Sequence, residues 1–143
     1  MVSAEFLTAG HAIFTVTNPD GEYYTYRVTT PKDQSEMHPV WFVSLLTGPN
    51  NLHDYTYLGL LRIKDWRPDG SPIYIVHTTA KSKFAEDSKP VKVVQWAVNR
   101  IQDKQLPAGY DIKHIGRCGV CGRELTTPES IDSGIGPVCA GRI

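Results

Sequence analysis

The three cysteines of this chain lie close together near its C-terminus, at positions 118, 121 and 139 of 143 residues. The first two form a C-x2-C pair, which brings two thiolates onto one tight turn, and Gly119 and Gly122 supply the backbone freedom that such a turn around a metal needs. An odd number of clustered cysteines argues against a disulfide framework. We therefore predict a zinc site with Cys118, Cys121 and Cys139 as ligands.

Zinc in such a site takes four nitrogen or sulfur ligands, so one more is needed. His114 stands four residues before the C-x2-C pair, close enough to fold back onto the metal, and we predict it as the fourth ligand. Asp132, His53 and His77 remain alternatives. The deaminase signature, with H-x-E before P-C-x-x-C, is absent, as is a recognised nucleophile motif. We therefore expect one structural zinc ion, and the sequence favours a protein that is not an enzyme.

Upstream of the cysteines, alternating β-branched and aromatic residues predict strands separated by Gly, Pro and Asn turns. A long helix should follow, capped by Asp87 or Ser88 and ending by about Gln105, with Pro90 in its first turn and an apolar stripe of Val91, Val94, Val98 and Ile101. The predicted strands are residues 11–17 and 22–28, joined by the Asn18–Gly21 turn, then 40–47, 56–63 and 73–79.

This pattern predicts an α+β fold: a mainly antiparallel sheet with one long packed helix and a small C-terminal zinc-binding module. We place the sheet-and-helix domain at residues 1–108 and the zinc-finger-like module at residues 109–143. Lys and Arg together number 15, as do Asp and Glu, so any attraction to nucleic acid must come from a local patch. We read neither a signal peptide nor a membrane span and expect a cytoplasmic protein with no membrane partner.

The C-terminal run CGVCGRELTTPESIDSGIGPVC resembles an uncharacterised zinc-finger-like domain found in short phage and prophage proteins. The segments FLTAGHAIFTVTN and WFVSLLTGPNNLHDYTYLGLL also resemble the N-terminal part of the phage members. The resemblance implies a phage-type accessory protein, acting in the host cytoplasm, with a treble-clef-like tail. It implies no activity, because the family has no assigned function.

Two binding functions follow from these observations as hypotheses. From Arg100 to Arg123 the chain carries five cations against two anions, and Lys113, Arg117 and Arg123 beside the zinc module are predicted to contact nucleic-acid phosphates. The same arginines would also neutralise a negatively charged cysteine–zinc cluster. The alternative is a protein-binding inhibitor of a host defence factor, which the small size and neutral charge allow.

A third hypothesis places a small-molecule or nucleotide pocket, or an enzyme's site, on the sheet. Aromatic side chains can line a pocket or stack on bases. In strands, tyrosines more often are half-buried residues with a solvated hydroxyl. The tyrosines concerned are Tyr23, Tyr24, Tyr26, Tyr55, Tyr57 and Tyr74.

Overall fold

A computed structural model of the chain describes residues 1–117, 120 and 134–135. Within them the chain forms six strands and two helices. In order these are α1 (Ala4–Leu7), β1 (His11–Thr17), β2 (Tyr23–Thr29), β3 (Val40–Leu46), β4 (Tyr55–Trp66), β5 (Pro72–His77), α2 (Lys89–Asp103) and β6 (Asp111–His114). The predicted ligands Cys118, Cys121 and Cys139, with Asp132 and Arg123, lie outside the described residues.

All six strands join one antiparallel sheet, in the order β5-β4-β3-β2-β1-β6. The first five form a meander, in which each strand pairs with the one before it in the chain. The last strand returns to the far side of β1, where His114 pairs with Phe14 and Lys113 with Thr15. Because side chains alternate along a strand, His114 and Lys113 lie on opposite faces of the sheet.

One face of the sheet holds the hydrophobic core, which includes Phe14, Tyr26 and Leu61, all fully buried. Helix α2 covers this face with its apolar stripe of Val91, Val94, Ala97, Val98 and Ile101. The Tyr26 hydroxyl donates a 2.7 Å hydrogen bond to the carbonyl of Pro90 in the first turn of α2. The helix is therefore tied to the sheet by a polar contact inside an apolar interface.

Helix α2 also protects the outer edge of the sheet at β5. The backbone amide of Val76 donates to Oε1 of Gln95 at 2.7 Å, and Nε2 of Gln102 donates to the carbonyl of Pro72 at 2.7 Å. These side chains occupy backbone groups that an edge strand otherwise leaves unpaired. In the described sheet, the β5 edge is thereby partly protected by side chains of α2 and needs no further strand.

The mainly antiparallel sheet and the long packed helix are confirmed, with differences at several boundaries. Strand β4 extends to Trp66, three residues beyond its prediction, and α2 ends at Asp103. Ser88 is the N-cap residue, but its hydroxyl donates to the carbonyl of Ala85 and makes no side-chain cap. Neither α1 nor β6 was expected. Residues 111–114 were assigned to the C-terminal module, and they lie in the sheet.

Helix α1 connects the core to the described part of the C-terminal segment. Phe6 is fully buried, and a Cβ added at Gly134 would lie 2.9 Å from Cε1 of its ring. Ile135 is 5% exposed and packs with Ala9 and Val120 in a small second cluster. The described residues of the C-terminal segment thus pack against the N-terminus of the chain.

Candidate functional site

In the described part of the chain, a groove of about 490 Å³ lies between the β1–β2 hairpin and α2. The groove is lined by apolar side chains, including four aromatic ones, and by two lysines. We call it the aromatic groove and define it by Tyr23, Tyr24, Lys89, Lys92, Trp96 and Tyr110. Concave sites of this size with few polar groups are where small ligands and unstacked bases bind.

The helical wall of the groove follows directly from residue spacing. Lys89, Lys92, Val93 and Trp96 stand at i, i+3, i+4 and i+7, which places them along one face of α2. The core-facing stripe of the same helix begins at Val91. Two cations and one indole therefore project together beside the sheet.

Tyr110 reaches the groove from the loop that precedes β6. Its ring lies 4.9 Å from that of Trp96, centroid to centroid, at an interplanar angle of 46°. Gly109 adopts a φ of +87°, and a Cβ there would lie 3.0 Å from Cγ of Pro19. Glycine at 109 lets this loop approach the hairpin turn, which sets Tyr110 opposite Trp96.

The hairpin turn holds the remaining wall in place. Oδ1 of Asn18 accepts the backbone amides of Asp20 and Glu22 at 3.0 and 2.9 Å, and Nδ2 of Asn18 donates to Oε1 of Glu22 at 3.0 Å. Tyr23 follows directly and leaves 67% of its surface exposed. An aromatic ring so exposed on a fixed turn is available for stacking.

Charges at the groove are only partly compensated. Nζ of Lys89 lies 4.0 Å from Oε2 of Glu22, and both side chains are 65% exposed, so the pair contributes little stability. The ammonium group of Lys92 makes no hydrogen bond or ion pair with another of the described residues. Both ammonium groups are accessible to an anionic ligand.

The predicted phosphate contacts do not share this groove. Lys113 is exposed on the face of β6 opposite the core and pairs with Oδ2 of Asp111 at 3.2 Å. Arg117, in the segment that follows β6, is also exposed. Arg123 lies outside the described residues. The structure therefore brings Lys113 and the aromatic groove to opposite faces of the sheet.

His114, the predicted fourth zinc ligand, is half-buried on the core face of β6. Its ring lies 5.9 Å from that of Phe6, and its Nδ1 accepts the backbone amide of Gly116 at 2.8 Å. A neutral imidazole that accepts at Nδ1 carries its proton on Nε2. Zinc binding at Nδ1 would displace the Gly116 amide, and zinc binding at Nε2 would move the proton to Nδ1, so that in either case His114 gives up the Gly116 hydrogen bond.

The alternative histidines lie elsewhere in the fold. His53 is exposed in the β3–β4 loop, and His77 is on β5, at the sheet edge opposite β6. Among residues 1–117, 120 and 134–135, no three His, Cys, Asp or Glu side chains form a group that could hold a metal ion. The three cysteines lie outside these residues, so the zinc assignment stays a prediction.

Sequence reasoning found two of the six residues that define the aromatic groove. Tyr23 and Tyr24 line it, whereas Tyr26 is buried, and Tyr55 and Tyr57 lie on β4, two strands away from β2 in the sheet. Trp96, Tyr110 and the two lysines were missed. The helical spacing of Lys89, Lys92 and Trp96 was the available signal. The tyrosines on the opposite wall of the groove, Tyr23 and Tyr24, come from the N-terminal hairpin, and no local pattern links them to α2.

Comparison with known proteins gives one match. Residues 111–143 match the model of a family of unknown function, DUF6011, which covers the cysteine motif and β6 but less than a quarter of the chain. No curated protein and no solved structure matches the chain. The resemblance is supported over this segment, while the phage relationship and the zinc finger stay predictions. None of the helices in the described part of the chain has the length and apolar character to cross a membrane.

Proposed function

We propose that this protein binds single-stranded nucleic acid, with unpaired bases stacked in the aromatic groove. The observation that carries the proposal is the joint placement of four aromatic rings, two of them exposed, and two exposed lysines around one 490 Å³ groove. Stacking of a base on an aromatic side chain contributes about 1–3 kcal/mol and tolerates any base. Lysines beside the rings would neutralise the backbone phosphates that accompany each base.

The balanced total charge fits a binder that relies on stacking. With equal numbers of acidic and basic residues, the chain has no global field to draw in a polyanion. A few well-placed cations and aromatic rings would then carry the affinity. We expect a modest dependence on salt, with a slope of about −0.7 for each phosphate neutralised on a single strand.

Binding is tested by fluorescence anisotropy with a labelled oligothymidine at several salt concentrations. Tyr23→Ala should weaken binding about tenfold or more, since it removes one stacking ring. Trp66→Ala, which removes another exposed aromatic ring outside the groove, should leave binding unchanged. Lys92→Ala should weaken binding and flatten the salt slope by about 0.7, whereas Lys81→Ala should do neither.

The absence of binding at low salt, where phosphate contacts are strongest, would overturn this function. Equal losses in Tyr23→Ala and Trp66→Ala would also contradict it, because the groove would then have no special role. Arg117→Ala together with Arg123→Ala measures the second predicted contact. If the C-terminal segment also grips phosphates, this pair should weaken binding to all sequences alike and flatten the slope by up to about 1.4.

The C-terminal segment is proposed to hold one structural zinc ion through Cys118, Cys121, Cys139 and His114. Its support is the glycine-flanked C-x2-C spacing and the half-buried imidazole at the end of β6. Purified protein should contain about one zinc ion per chain, and Cys139→Ser should lose it. His114→Ala should reduce retention; if it leaves retention unchanged, a residue other than His114 supplies the fourth ligand.

A second candidate function is binding of a host protein. The observation in its favour is a separate apolar concavity of about 330 Å³ between the start of β3 and the end of β4, with Met37 84% and Trp66 59% exposed at its rim. Such exposed apolar side chains are typical of interaction sites. Pull-down from host lysate after nuclease treatment tests it: a partner retained by the wild type and lost in Trp66→Ala would support this function over the first.

A further inference from the structure

The aromatic groove contains one carboxylate, on Glu22, at a place where a pure phosphate-binding site would have none. A carboxylate beside two lysines repels the phosphates that those lysines attract. Its position is also fixed, because Nδ2 of Asn18 donates to Oε1 and the backbone amide of Glu22 donates to Asn18. A fixed acceptor in a stacking groove calls for a ligand group that donates hydrogen bonds.

The chemistry of the four bases selects one of them. A carboxylate accepts hydrogen bonds through two oxygens and offers a fork to two adjacent donors. Guanine presents two neighbouring donors, N1–H and the N2 amino group, on its Watson–Crick edge. Adenine and cytosine present one amino group beside a ring acceptor, and thymine and uracil present one N–H between two carbonyls. Only guanine offers a matching pair.

We infer that Glu22 reads guanine in the aromatic groove, so that the groove prefers an unpaired guanine over the other bases. The inference rests on the proposed function, since the base must first stack in the groove. Oε1 keeps a lone pair after accepting from Asn18, and Oε2 faces Lys89 only at 4.0 Å. Both oxygens can therefore accept from the edge of a base whose face lies on Tyr23 or on the Trp96–Tyr110 pair.

The energetic expectation is a moderate preference. A two-hydrogen-bond contact to the correct base discriminates against a wrong one by an amount that corresponds to about tenfold or more in affinity. Hydrogen bonds to a charged acceptor are stronger than neutral ones. The exposure of Glu22 reduces this gain, because water competes at the same oxygens, so we expect about five- to twentyfold.

The test uses short oligothymidines with one central guanine, inosine or adenine, bound to the full-length protein. Inosine keeps the N1–H donor and lacks the N2 amino group, so its affinity should fall between those of guanine and adenine. Glu22→Gln should abolish the preference for guanine over adenine, because the side-chain amide keeps only one acceptor oxygen in place of two.

Asp20→Asn is the matched control, because it removes the same charge from the same turn at a residue that does not line the groove. It should keep the guanine preference. A wild type that binds all the oligonucleotides equally would overturn the inference and leave the proposed function intact. Failure to bind any of them would overturn both. Loss of the preference in Glu22→Gln and Asp20→Asn alike would also overturn it, because the effect would then be one of turn structure or overall charge.

Discussion

Gly134 lies so close to the ring of Phe6 that adding a single methyl group at Gly134 should measurably lower the free energy of unfolding. Gly134 adopts a φ of +80°, and a Cβ at this position would lie 2.9 Å from Cε1 of Phe6 and closer still to Cδ1. Phe6 is fully buried and packs on the core, so its ring has no free space to move into. Gly134→Ala therefore adds a backbone cost to a packing cost.

The two costs are of known size and can be separated. A left-handed backbone costs a residue with a Cβ about 1–2 kcal/mol, and overpacking a filled site costs about 1–3 kcal/mol. We expect Gly134→Ala to destabilise the protein by about 2–5 kcal/mol in all. Gly21 has nearly the same φ of +82°, but a Cβ added there would have nothing within 4 Å. Gly21→Ala should therefore show the backbone cost alone, about 1–2 kcal/mol.

The assay is urea denaturation followed by tryptophan fluorescence, with the free energy of unfolding obtained by linear extrapolation. Phe6→Val provides a second background, because valine lacks the δ and ε carbons that the new methyl group would meet. In that background Gly134→Ala should cost only as much as Gly21→Ala does. If Gly134→Ala and Gly21→Ala cost the same in the wild-type background, the packing of Gly134 on Phe6 is refuted.

Two further predictions concern pH. Burial, and to a lesser degree the nearby Tyr24, raises the pKa of Tyr26 far above its ordinary value of 10.0, so the stability from this neutral phenol is present below about pH 10 and lost as the pH rises further. Tyr26→Phe should cost about 1–2 kcal/mol at pH 7 and lessen the fall in Tm between pH 9 and 11; an unchanged alkaline fall would contradict this. The hydroxyl and the backbone amide of Thr78 donate hydrogen bonds to Glu86 and hold the pKa of this carboxyl below 4.5. The contribution of these hydrogen bonds to stability is therefore present above about pH 4.5 and is lost as the pH falls. Glu86→Gln should lower stability by up to about 1 kcal/mol at pH 7, a small amount because Glu86 is exposed, and by nothing at pH 2, as measured by urea denaturation at both pH values.

Local sequence signals predicted most of the sheet, and long-range contacts account for what they missed. The Asn18–Gly21 turn and the alternating residues around it specify the first hairpin, because turn chemistry and strand pattern agree over a short span. β6 was missed because four residues are too few to show a pattern, and its pairing with β1 is decided by tertiary contact. Helix α1 is four residues long and depends on burial of Phe6 and Leu7, which no local propensity reports.

The candidate site divides in the same way. Tyr23 and Tyr24 could be proposed from their sequence, because aromatic residues after a turn often stay accessible. Trp96 and Tyr110 could not be joined to them, since the groove is made only when α2 packs on the sheet and Gly109 approaches Pro19. Conversely, the cysteine motif was the clearest sequence signal, because metal ligation depends on spacing that can be read directly.

The pairing of the last strand with the first has a consequence for how the chain folds. Strands β1 to β5 are joined by neighbouring hairpins, which close short loops, whereas Phe14 and His114 stand 100 positions apart. Closing a loop of about one hundred residues costs roughly 2 kcal/mol more entropy than closing one of ten, so the meander should assemble first and β6 should dock afterwards. During synthesis, β1 therefore remains an unpaired edge strand until the ribosome has released residues 111–114 of β6. Chains truncated before Asp111 would keep that edge unpaired and should self-associate through it.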